Sequence, residues 1–339
     1  MKVARAWARS RAPEMVLVAV GLTACPAPAV PDNQPTATTS SSSNIGPPIP
    51  ESIKPERLTN GPTDEFGPVV RSDGSTLFFY AEAKVGDPPD VKIGSQVVYA
   101  LKLGRPYEEK VAFTPEQRFS NHPGLSLDGQ TMVFVTNATG PLAIVRSTVE
   151  PNAPMSIVVT SAVAPELAEP AISPDGARIA FSMRDTAGRA IAIVDADGKN
   201  FTRVAEGRSP AWSPDGTRLA FVRSTAAGFI HLFTTDAATF KDEKQLTEGE
   251  LDCDSPAFSP DGRSIVVASN MGWRAAKRDR SEELHLFTLS ATGGPMHALT
   301  SGGGRAAMPF WASDGYVYFA SDRDGSFDVY RIKPASGAG

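Results

Sequence analysis

The chain has 339 residues, of which 41% are hydrophobic and 21% are charged, and its formal net charge is −5. This balance excludes the strongly basic surface that nucleic-acid binding requires, and no apolar run reaches the roughly 18 residues of a membrane-spanning helix. The 29 glycines and 29 prolines are an excess of turn residues, which favours many short strands over long helices.

The N-terminal segment of the chain has the pattern of an export signal. Lys2, Arg5, Arg9 and Arg11 give a positive start, and residues 15–24 (MVLVAVGLTA) form an apolar stretch too short to span a bilayer. Residues 22–25 (LTAC) resemble the lipobox of bacterial lipoproteins, in which the cysteine thiol accepts the lipid and becomes the mature N-terminus. We therefore expect a signal peptide at residues 1–24 and a lipid on Cys25, and a plain secretory signal is the alternative.

The chain has one other cysteine, Cys253, so acylation of Cys25 leaves no disulfide to stabilise the fold. Cys253 lies between two aspartates, whose negative charges disfavour a reactive thiolate. Residues 26–54 are rich in Pro, Ser and Thr and contain almost nothing apolar. We expect them, after the lipidated Cys25, to form a disordered tether with a mean reach of roughly 30 Å.

A proline followed five residues later by Asp-Gly occurs six times in the rest of the chain. The sharpest copies are AISPDGARIAFS (171–182), AWSPDGTRLAFV (211–222) and AFSPDGRSIVVA (257–268). The Ser and Asp side chains accept hydrogen bonds from turn N–H groups, and Gly takes the position with positive φ. Each copy therefore predicts a hairpin between two strands. The six prolines are Pro68, Pro123, Pro170, Pro210, Pro256 and Pro309, and the aspartates that follow them are Asp73, Asp128, Asp175, Asp215, Asp261 and Asp314.

Two further strands are predicted in each repeat. The third strands are expected at residues 96–103, 142–147, 190–195, 230–234, 283–289 and 327–332, and the fourth strands at 110–114, 156–160, 201–205, 244–247 and 296–300. Repeat units of roughly 40–55 residues with four strands are typical of propeller blades. The sequence therefore predicts an all-β fold, a six-bladed β-propeller of four-stranded antiparallel blades at residues 55–333, followed by a flexible tail at 334–339.

The sixth blade has no fourth strand after residue 332, and the missing strand is predicted at the other end of the propeller. Leu-Thr-x-Gly occurs at residues 246–249 and 299–302, each time at the same distance before a motif aspartate, Asp261 or Asp314. The same motif at residues 58–61 stands at that same distance before Asp73. We therefore expect residues 57–60 to form the outer strand of blade six and to close the ring, which removes the free sheet edges.

The Ser-Pro-Asp-Gly turn followed by an alternating strand resembles the TolB-type propeller repeat. The resemblance covers residues 55–333 and is strongest in blades three to five, because the first two turns, at Asp73 and Asp128, lack the proline. TolB itself carries an α/β domain before its propeller, whereas here only the tether is expected. The resemblance therefore implies the TolB propeller alone, on a lipid anchor, and a role in binding.

The residues that carry chemistry do not form a catalytic set. The four histidines are His122, His231, His285 and His297, and only His122 is expected near the propeller axis. Related propeller lyases need several converging histidines, and propeller peptidases need a G-x-S-x-G motif, which this sequence lacks. We expect no enzyme, no cofactor and no metal. A calcium site at Asp322, Asp324 and Asp328 is the alternative to an ordinary polar turn there.

The remaining candidates are surface loops at one end of the propeller. The loop at residues 271–282 combines an aromatic residue with four basic ones, and a second long insertion lies at residues 84–95. Acidic segments and one histidine are expected at the mouth of the channel. The alternative is that these are solvated loops with balancing charges. The candidate partner-binding residues are Trp273, Arg274, Lys277, Arg278 and Arg280, and the candidate channel-mouth residues are Glu65, His122, Glu169 and Asp254.

The sequence thus predicts a lipid-anchored scaffold or binding protein of the bacterial cell envelope, at the outer membrane. Its partner is expected to be an envelope protein or peptide, with no nucleic acid and with membrane contact through the lipid alone. A propeller enzyme acting on carbohydrate or peptide is the alternative, and a purely structural envelope protein is a third. The binding function rests on fold analogy, which is a weaker argument than a site.

Overall fold

A computed structural model describes residues 54–82, 95–150, 153–272 and 284–335. These residues form 24 strands in six four-stranded antiparallel sheets, with one short 3-10 helix at Tyr107–Glu109. The all-β, six-bladed fold predicted from the sequence is confirmed. No helix in the described ranges has the length and hydropathy needed to cross a membrane. The signal peptide, Cys25 and the tether lie outside the described residues.

The six sheets are the six blades, and each contains four strands. Strand β1 (Glu56–Arg57) comes first in sequence but belongs to the last blade. Blade 1 contains β2 (Glu65–Val70), β3 (Thr76–Glu82), β4 (Gln96–Lys102) and β5 (Val111–Ala112). Blade 2 contains β6 (Ser120–Leu125), β7 (Thr131–Thr136), β8 (Ala143–Thr148) and β9 (Ser156–Thr160). Blade 3 contains β10 (Glu166–Ile172), β11 (Arg178–Asp185), β12 (Gly188–Asp195) and β13 (Thr202–Glu206).

The second half of the chain repeats this pattern. Blade 4 contains β14 (Arg208–Trp212), β15 (Arg218–Ser224), β16 (Ile230–Asp236) and β17 (Lys244–Gln245). Blade 5 contains β18 (Cys253–Phe258), β19 (Ser264–Ser269), β20 (His285–Ser290) and β21 (His297–Ala298). Blade 6 contains β22 (Ala306–Trp311), β23 (Val317–Ser321), β24 (Asp328–Ile332) and β1.

The first strand of each blade lines the propeller axis. Strands β2, β6, β10, β14, β18 and β22 each contact the first strands of both neighbouring blades, so that they form a closed inner ring. The second strands behind them are almost completely buried, and all six residues of β19 are buried. Each sheet is covered on both faces by its neighbours, which explains why neither face of these strands is strongly polar.

The Ser-Pro-Asp-Gly segments form the predicted hairpin turns. In blade 3, the Ala177 N–H donates to Asp175 Oδ1 over 3.0 Å, and the Arg178 N–H donates to Ser173 Oγ over 2.9 Å. Gly176 has a φ of 72°, which explains the glycine at this position. The same contacts recur around Asp215 and Asp261. The motif is therefore a structural device of the blade, on the side of the ring opposite to the starts of the first strands.

The N-terminal strand closes the ring, as the Leu-Thr-x-Gly spacing predicted. Strand β1 pairs antiparallel with β24, with Arg57 opposite Tyr330. The Leu58 N–H then donates to the Val329 carbonyl over 2.8 Å, and the Val329 N–H donates to Thr59 Oγ1 over 2.8 Å. The paired strand is Glu56–Arg57, one residue earlier and shorter than expected, because the chain at Leu58 and Thr59 is held by these single bonds.

The threonine of Leu-Thr-x-Gly has the same task in other blades. Thr247 Oγ1 accepts the Leu232 N–H over 3.0 Å, and Thr300 Oγ1 accepts the Leu286 N–H over 2.8 Å. In each case the hydroxyl satisfies a third-strand amide where the very short fourth strand has already ended. The motif therefore marks the end of an outer strand, and this is why it located the closing strand correctly.

Candidate binding site in the axial channel

Each first strand contains one bulged residue directly before its motif proline. The pairing register between first and second strand shifts at this point in all six blades. The bulged residue has a positive φ, between 49° and 58°. Since the first strands surround the axis, these residues form a ring around the channel, called here the axial ring. Its members are Gly67, His122, Glu169, Ser209, Ser255 and Met308.

The positive φ of the axial ring is informative because five of its six members are not glycine. A side chain in this conformation costs roughly 1–2 kcal/mol relative to the ordinary strand backbone. The bulge turns the chain out of the regular ladder at the same height in every blade. The fold thus holds a strained backbone at the six positions that face the axis, which marks the ring as the candidate site.

Glu169 is the centre of the polar part of the ring. Its carboxylate accepts hydrogen bonds from Ser182 Oγ over 2.5 Å, from the Ser209 N–H over 2.8 Å and from Ser209 Oγ over 3.0 Å. These donors come from the second strand of blade 3 and the first strand of blade 4. Glu169 is therefore fixed in place by two neighbouring blades.

Arg208 and Asp254 extend this network to blade 5. Their guanidinium and carboxylate form an ion pair, and Ser209 Oγ lies 3.2 Å from Asp254 Oδ1. Burial disfavours the charged guanidinium, but the carboxylates of Asp254 and Glu169 outweigh that effect and raise the pKa of Arg208. Ser255 donates its N–H to Asp254 Oδ1 over 2.7 Å. The charged groups of blades 3 to 5 therefore hold one another in place through an ion pair and hydrogen bonds.

His122 occupies the bulge of blade 2. Its Nδ1 lies 2.9 Å from Asn121 Oδ1, and the Asn121 amide donates to Gln96 Oε1 over 2.9 Å. Burial lowers the pKa of His122, and the negative charge of Glu169 only partly opposes this effect. The imidazole is therefore neutral at pH 7 and offers one donor and one acceptor.

The channel wall formed by blades 6 and 1 is aromatic and apolar. Gly67 has no side chain because the Tyr80 ring takes its place: a Cβ on Gly67 would lie 2.7 Å from Tyr80 Cε1. The Tyr80 hydroxyl donates to Met308 Sδ over 3.6 Å, and its ring lies 5.4 Å from that of His122. Phe66, beside the bulge, packs against Phe327 with ring centroids 4.8 Å apart.

The axial ring thus has a charged, hydrogen-bonding sector in blades 2 to 5 and an aromatic sector in blades 6 and 1. The polar sector contains the carboxylates of Glu169 and Asp254 and the guanidinium of Arg208, and the guanidinium of Arg189 is close enough to interact with Arg208 and Glu169. Within the described ranges, no three His, Cys, Asp or Glu side chains converge in a way that would hold a metal ion. The arrangement is suited to holding an amphipathic chain by fixed polar groups on one side and aromatic contacts on the other.

The sequence-predicted residues fall into three groups. His122 and Glu169 are members of the axial ring, and Asp254 directly precedes a member. Glu65 starts β2, but its side chain is fully buried between blades 6 and 1. The loop residues Trp273, Arg274, Lys277, Arg278 and Arg280 lie outside the described residues, as do residues 83–94 of the other long loop.

Sequence reasoning missed Arg208, Ser209, Ser255, Met308 and Tyr80. The signal that would have found four of them is the residue directly before each motif proline, or the one before that, since the repeat fixes this position relative to the axis. Tyr80 has no such signal, because its role follows from the glycine opposite it.

The three aspartates of the calcium alternative are used separately. Asp322 accepts hydrogen bonds from the Arg305 N–H over 2.5 Å and from Arg305 Nε over 2.9 Å. Asp324 accepts the Tyr330 hydroxyl over 2.6 Å, and Asp328 accepts Arg57 Nη2 over 2.7 Å. Each carboxylate has its own partner in the turn or in the closing sheet, which agrees with the polar-turn interpretation.

Fold and axial ring together define the class: this is a six-bladed β-propeller with a channel lined by bulged first strands. Residues 191–339 match the family model described as the TolB beta propeller domain. The matched part of the chain is therefore similar to the TolB β-propeller domain, and the resemblance drawn from the Ser-Pro-Asp-Gly repeats is confirmed.

Solved structures with the same fold include proteins of different kinds. A protein assigned as TolB from Agrobacterium tumefaciens is 20% identical, with a TM-score of 0.55 over 68% of this chain and 82% of that one. TolB from Acinetobacter baumannii is 15% identical, with a TM-score of 0.54 over 81% of this chain, which spans only 64% of that protein. An oligogalacturonate lyase from Vibrio parahaemolyticus is 15% identical, with a TM-score of 0.55 over 83% of this chain and 81% of the lyase. At these identities the likeness shows the fold alone.

Proposed function

We propose that this chain is a lipid-anchored, non-catalytic binding protein of the bacterial cell envelope. Its partner is a protein or peptide that contacts the loop-rich face of the propeller and inserts a segment into the axial channel. The observation that carries this proposal is the axial ring, with its fixed charges on one side and its aromatic wall on the other. A peptide offers both backbone amides and apolar side chains, and so matches both sectors.

The topology adds a reason to choose this face. The starts of the first strands and the loops between the second and third strands lie at the same end of the ring. The bulges of the first strands are close to this end. Residues 271–282, with Trp273, Arg274, Lys277, Arg278 and Arg280, belong in the sequence to the connection between the second and third strands of blade 5, and we assign them to this binding face. A basic aromatic loop, together with a channel that contains both carboxylates and guanidinium groups, suits a partner that carries both charge signs, since interface energy concentrates in Trp and Arg.

The alternative is an enzyme on carbohydrate or peptide, as in the lyase that shares the fold. Two features favour binding. The carboxylates of the ring are already engaged by Ser182, Ser209 and Arg208, and so are not free to act as a base. The described contacts of His122 are with Asn121 and the Tyr80 ring, and neither places a hydroxyl nucleophile within hydrogen-bonding distance of the imidazole.

Site-specific crosslinking tests the channel directly. A photoreactive side chain at Met308, in the ring, is expected to capture a discrete envelope protein, whereas the same group at Thr202, on an outer strand, captures none. Against the purified partner, Trp273→Ala should weaken binding by about thirtyfold, the effect of losing an anchor of about 2 kcal/mol.

The result that would contradict the proposal is equal crosslinking at the two positions. Turnover of a peptide or of an oligogalacturonide that disappears in the Glu169→Gln variant would instead establish the enzyme.

A further inference from the structure

Neighbouring blades meet at a repeated polar position. In the junction between blades 4 and 5, Thr247 Oγ1 lies 3.3 Å from His231 Nδ1 and 3.7 Å from Cys253 Sγ. Here His231 directly precedes the third-strand amide that the threonine accepts, and Cys253 lies three residues before a motif proline. The same positions can be followed around the ring wherever the threonine occurs.

The corresponding residues differ sharply in the closing junction. Between blades 1 and 2 they are Val97 and Ser120, and between blades 5 and 6 they are His285 and Ala306. Between blades 6 and 1 they are Asp328 and Glu65, on either side of Thr59. Among these four junctions, the one beside the blade whose outer strand comes from the N-terminal end of the propeller is the one that contains two carboxylic acids. We call Thr59, Glu65 and Asp328 the closing junction.

Both acids of the closing junction are completely buried, at 0% exposure. Asp328 Oδ2 accepts Arg57 Nη2 over 2.7 Å and Ser326 Oγ over 3.3 Å. Asp328 Oδ1 and both carboxylate oxygens of Glu65 make no hydrogen bond of ordinary geometry. Two buried carboxylates with three oxygens that lack a well-placed donor are unfavourable when both are ionised, since each loses its water and each repels the other. The nearest donors are the Thr59 and Tyr107 hydroxyls beside Glu65 and the Gly61 N–H beside Asp328.

The surroundings of the pair favour the protonated form of Glu65. Burial raises the pKa of Glu65 to about 7, and the charge of Asp328 adds to this effect. The nearby hydroxyls of Thr59 and Tyr107 and the ammonium of Lys110 lower it to a smaller extent. Burial also raises the pKa of Asp328, against the opposing charge of Arg57.

The tyrosines that face the pair do not ionise near neutral pH. Burial raises the pKa of Tyr99 to about 12, and burial together with Glu65 raises that of Tyr107 further. Lys110 places its ammonium 4.1 Å from the centroid of the Tyr107 ring. Near neutral pH, the acid pair and not either tyrosine is therefore the group that gains or loses a proton.

We propose that the closing junction is a proton-dependent latch. A proton on Glu65 allows its buried carboxyl group to stay beside the charge of Asp328 between blades 6 and 1, and loss of this proton loosens the short strand β1 and the segment that follows it. The geometry makes this segment sensitive: a Cβ on Gly61 would overlap both Glu65 Oε1 and Tyr107 Oη, so the backbone there lies directly against the acid. This inference is independent of what the channel binds.

The sign of the pH dependence follows from the shifted Glu65. Its pKa is higher in the folded chain than the ordinary 4.5, so the folded state binds more protons between pH 4.5 and about 7. The stabilisation is complete below pH 4.5 and is lost as the pH rises through about 7. Above that, the junction holds a pair of buried negative charges.

Hydrogen exchange of the wild-type protein tests the latch within one molecule. The Leu58 N–H, which bonds to Val329 across the closing junction, has a counterpart in the Leu246 N–H, which bonds to Leu232 inside blade 4. Between pH 5.5 and pH 8, after correction for intrinsic exchange, protection of Leu58 should fall by about tenfold or more, while protection of Leu246 should stay constant, because one pKa unit corresponds to a tenfold change in equilibrium. An equal change at the two amides would overturn the proposal.

Variants test whether the pH dependence of the closing junction comes from Glu65 and Asp328. Glu65→Gln imitates the protonated acid, so it should melt close to the wild type at pH 5 and several degrees above it at pH 8. Glu82→Gln removes an exposed acid from the same blade and should show the same difference at both pH values. Where Glu65→Gln fails to fold, Asp328→Asn tests the pair through its pH dependence: loss of the Arg57 ion pair should lower its melting temperature at both pH values, but the drop between pH 5 and pH 8 should be smaller than in the wild type.

A metal ion is the competing explanation for three unsatisfied carboxylate oxygens. Calcium chloride should leave the melting temperature of the wild type at pH 8 unchanged. If calcium instead raises it, if EDTA lowers it, and if Glu65→Gln removes both effects, the junction is a cation site and the latch is wrong.

Discussion

At the bulge of blade 1, Gly67 combines a φ of 58° with a close approach of the Tyr80 ring. Gly74, in the turn of the same blade, has a φ of 70° and no neighbour within 4 Å of the position a Cβ would take. The backbone conformation therefore disfavours a side chain at both positions. At Gly67 the Tyr80 ring also leaves no space for one.

Alanine at these two positions should destabilise the propeller to different extents. We expect Gly74→Ala to lower the free energy of unfolding by about 1 kcal/mol, the ordinary cost of the left-handed backbone. Gly67→Ala should cost about 3 kcal/mol, because its Cβ must also displace the buried Tyr80 ring. Chemical denaturation of the two variants and the wild type measures the difference. Equal losses would mean that the Tyr80 ring moves away freely.

For Cys253, the sequence predicted an unreactive thiol correctly, but the main physical cause is a different one. The flanking aspartates predicted an unreactive thiol, and the structure agrees in direction. Burial raises the pKa of Cys253 to about 12, however, while Asp252 and Asp254 contribute less. Asp252 instead accepts the Ile230 N–H over 2.9 Å, and so serves the backbone of blade 4.

Among the elements, the fourth strands are the least regular. They span five residues in β9 and β13 but only two in β1, β5, β17 and β21. Short outer strands limit the edge available for pairing with another chain. After such a short fourth strand, a threonine hydroxyl accepts the hydrogen bond of an amide in the third strand of the same blade.

Replacing this threonine by valine tests its contribution at nearly constant volume. Thr300→Val leaves the buried Leu286 N–H without its acceptor at 2.8 Å, and should lower the free energy of unfolding by about 1 kcal/mol. The matched control, Thr202→Val on the exposed outer strand β13, should have no measurable effect. If both variants unfold like the wild type, the N–H of Leu286 finds another partner, and the Leu-Thr motif has no energetic role.

The elements could be predicted almost completely, because the repeat presents each strand six times and the turn chemistry fixes its start. The fourth strand at 156–160 was found with the same bounds in Ser156–Thr160, whereas the one expected at 296–300 pairs only at His297–Ala298.

The site was predictable only in part. His122 was expected near the axis from its place before Pro123, and Glu169 and Asp254 from the acidic segments between blades. Charge alone does not show that Arg208 pairs with Asp254 or that Glu65 turns away into a junction. These depend on the bulge, and a single bulged residue reverses the direction of a side chain without leaving a mark in the hydrophobic pattern.

For the molecule as a whole, attachment to a membrane is the proposal that depends most on residues outside the described ranges. If Cys25 carries the lipid, Cys25→Ala should block processing, so that a longer precursor accumulates and the mature form no longer partitions into detergent. Each acyl chain contributes about 0.8 kcal/mol per buried CH₂, so several chains make the attachment stable. Phase partitioning and mass spectrometry of the two proteins measure this. A Cys25→Ala protein that is cut normally and stays in the aqueous phase would establish the plain secretory signal.

The order of the strands also has a mechanical consequence. The segment that leads from Cys25 enters the ring through β1, the two-residue strand at the outer edge of blade 6. Any tension along that segment acts first on the pairing of Glu56 and Arg57 with β24, which is reinforced by the Arg57–Asp328 and Glu56–Arg331 ion pairs. The other five blades bear load only after this sheet has parted. Pulled from its N-terminal end, the propeller is expected to yield at its seam, opening from a closed ring into an arc before any blade unravels.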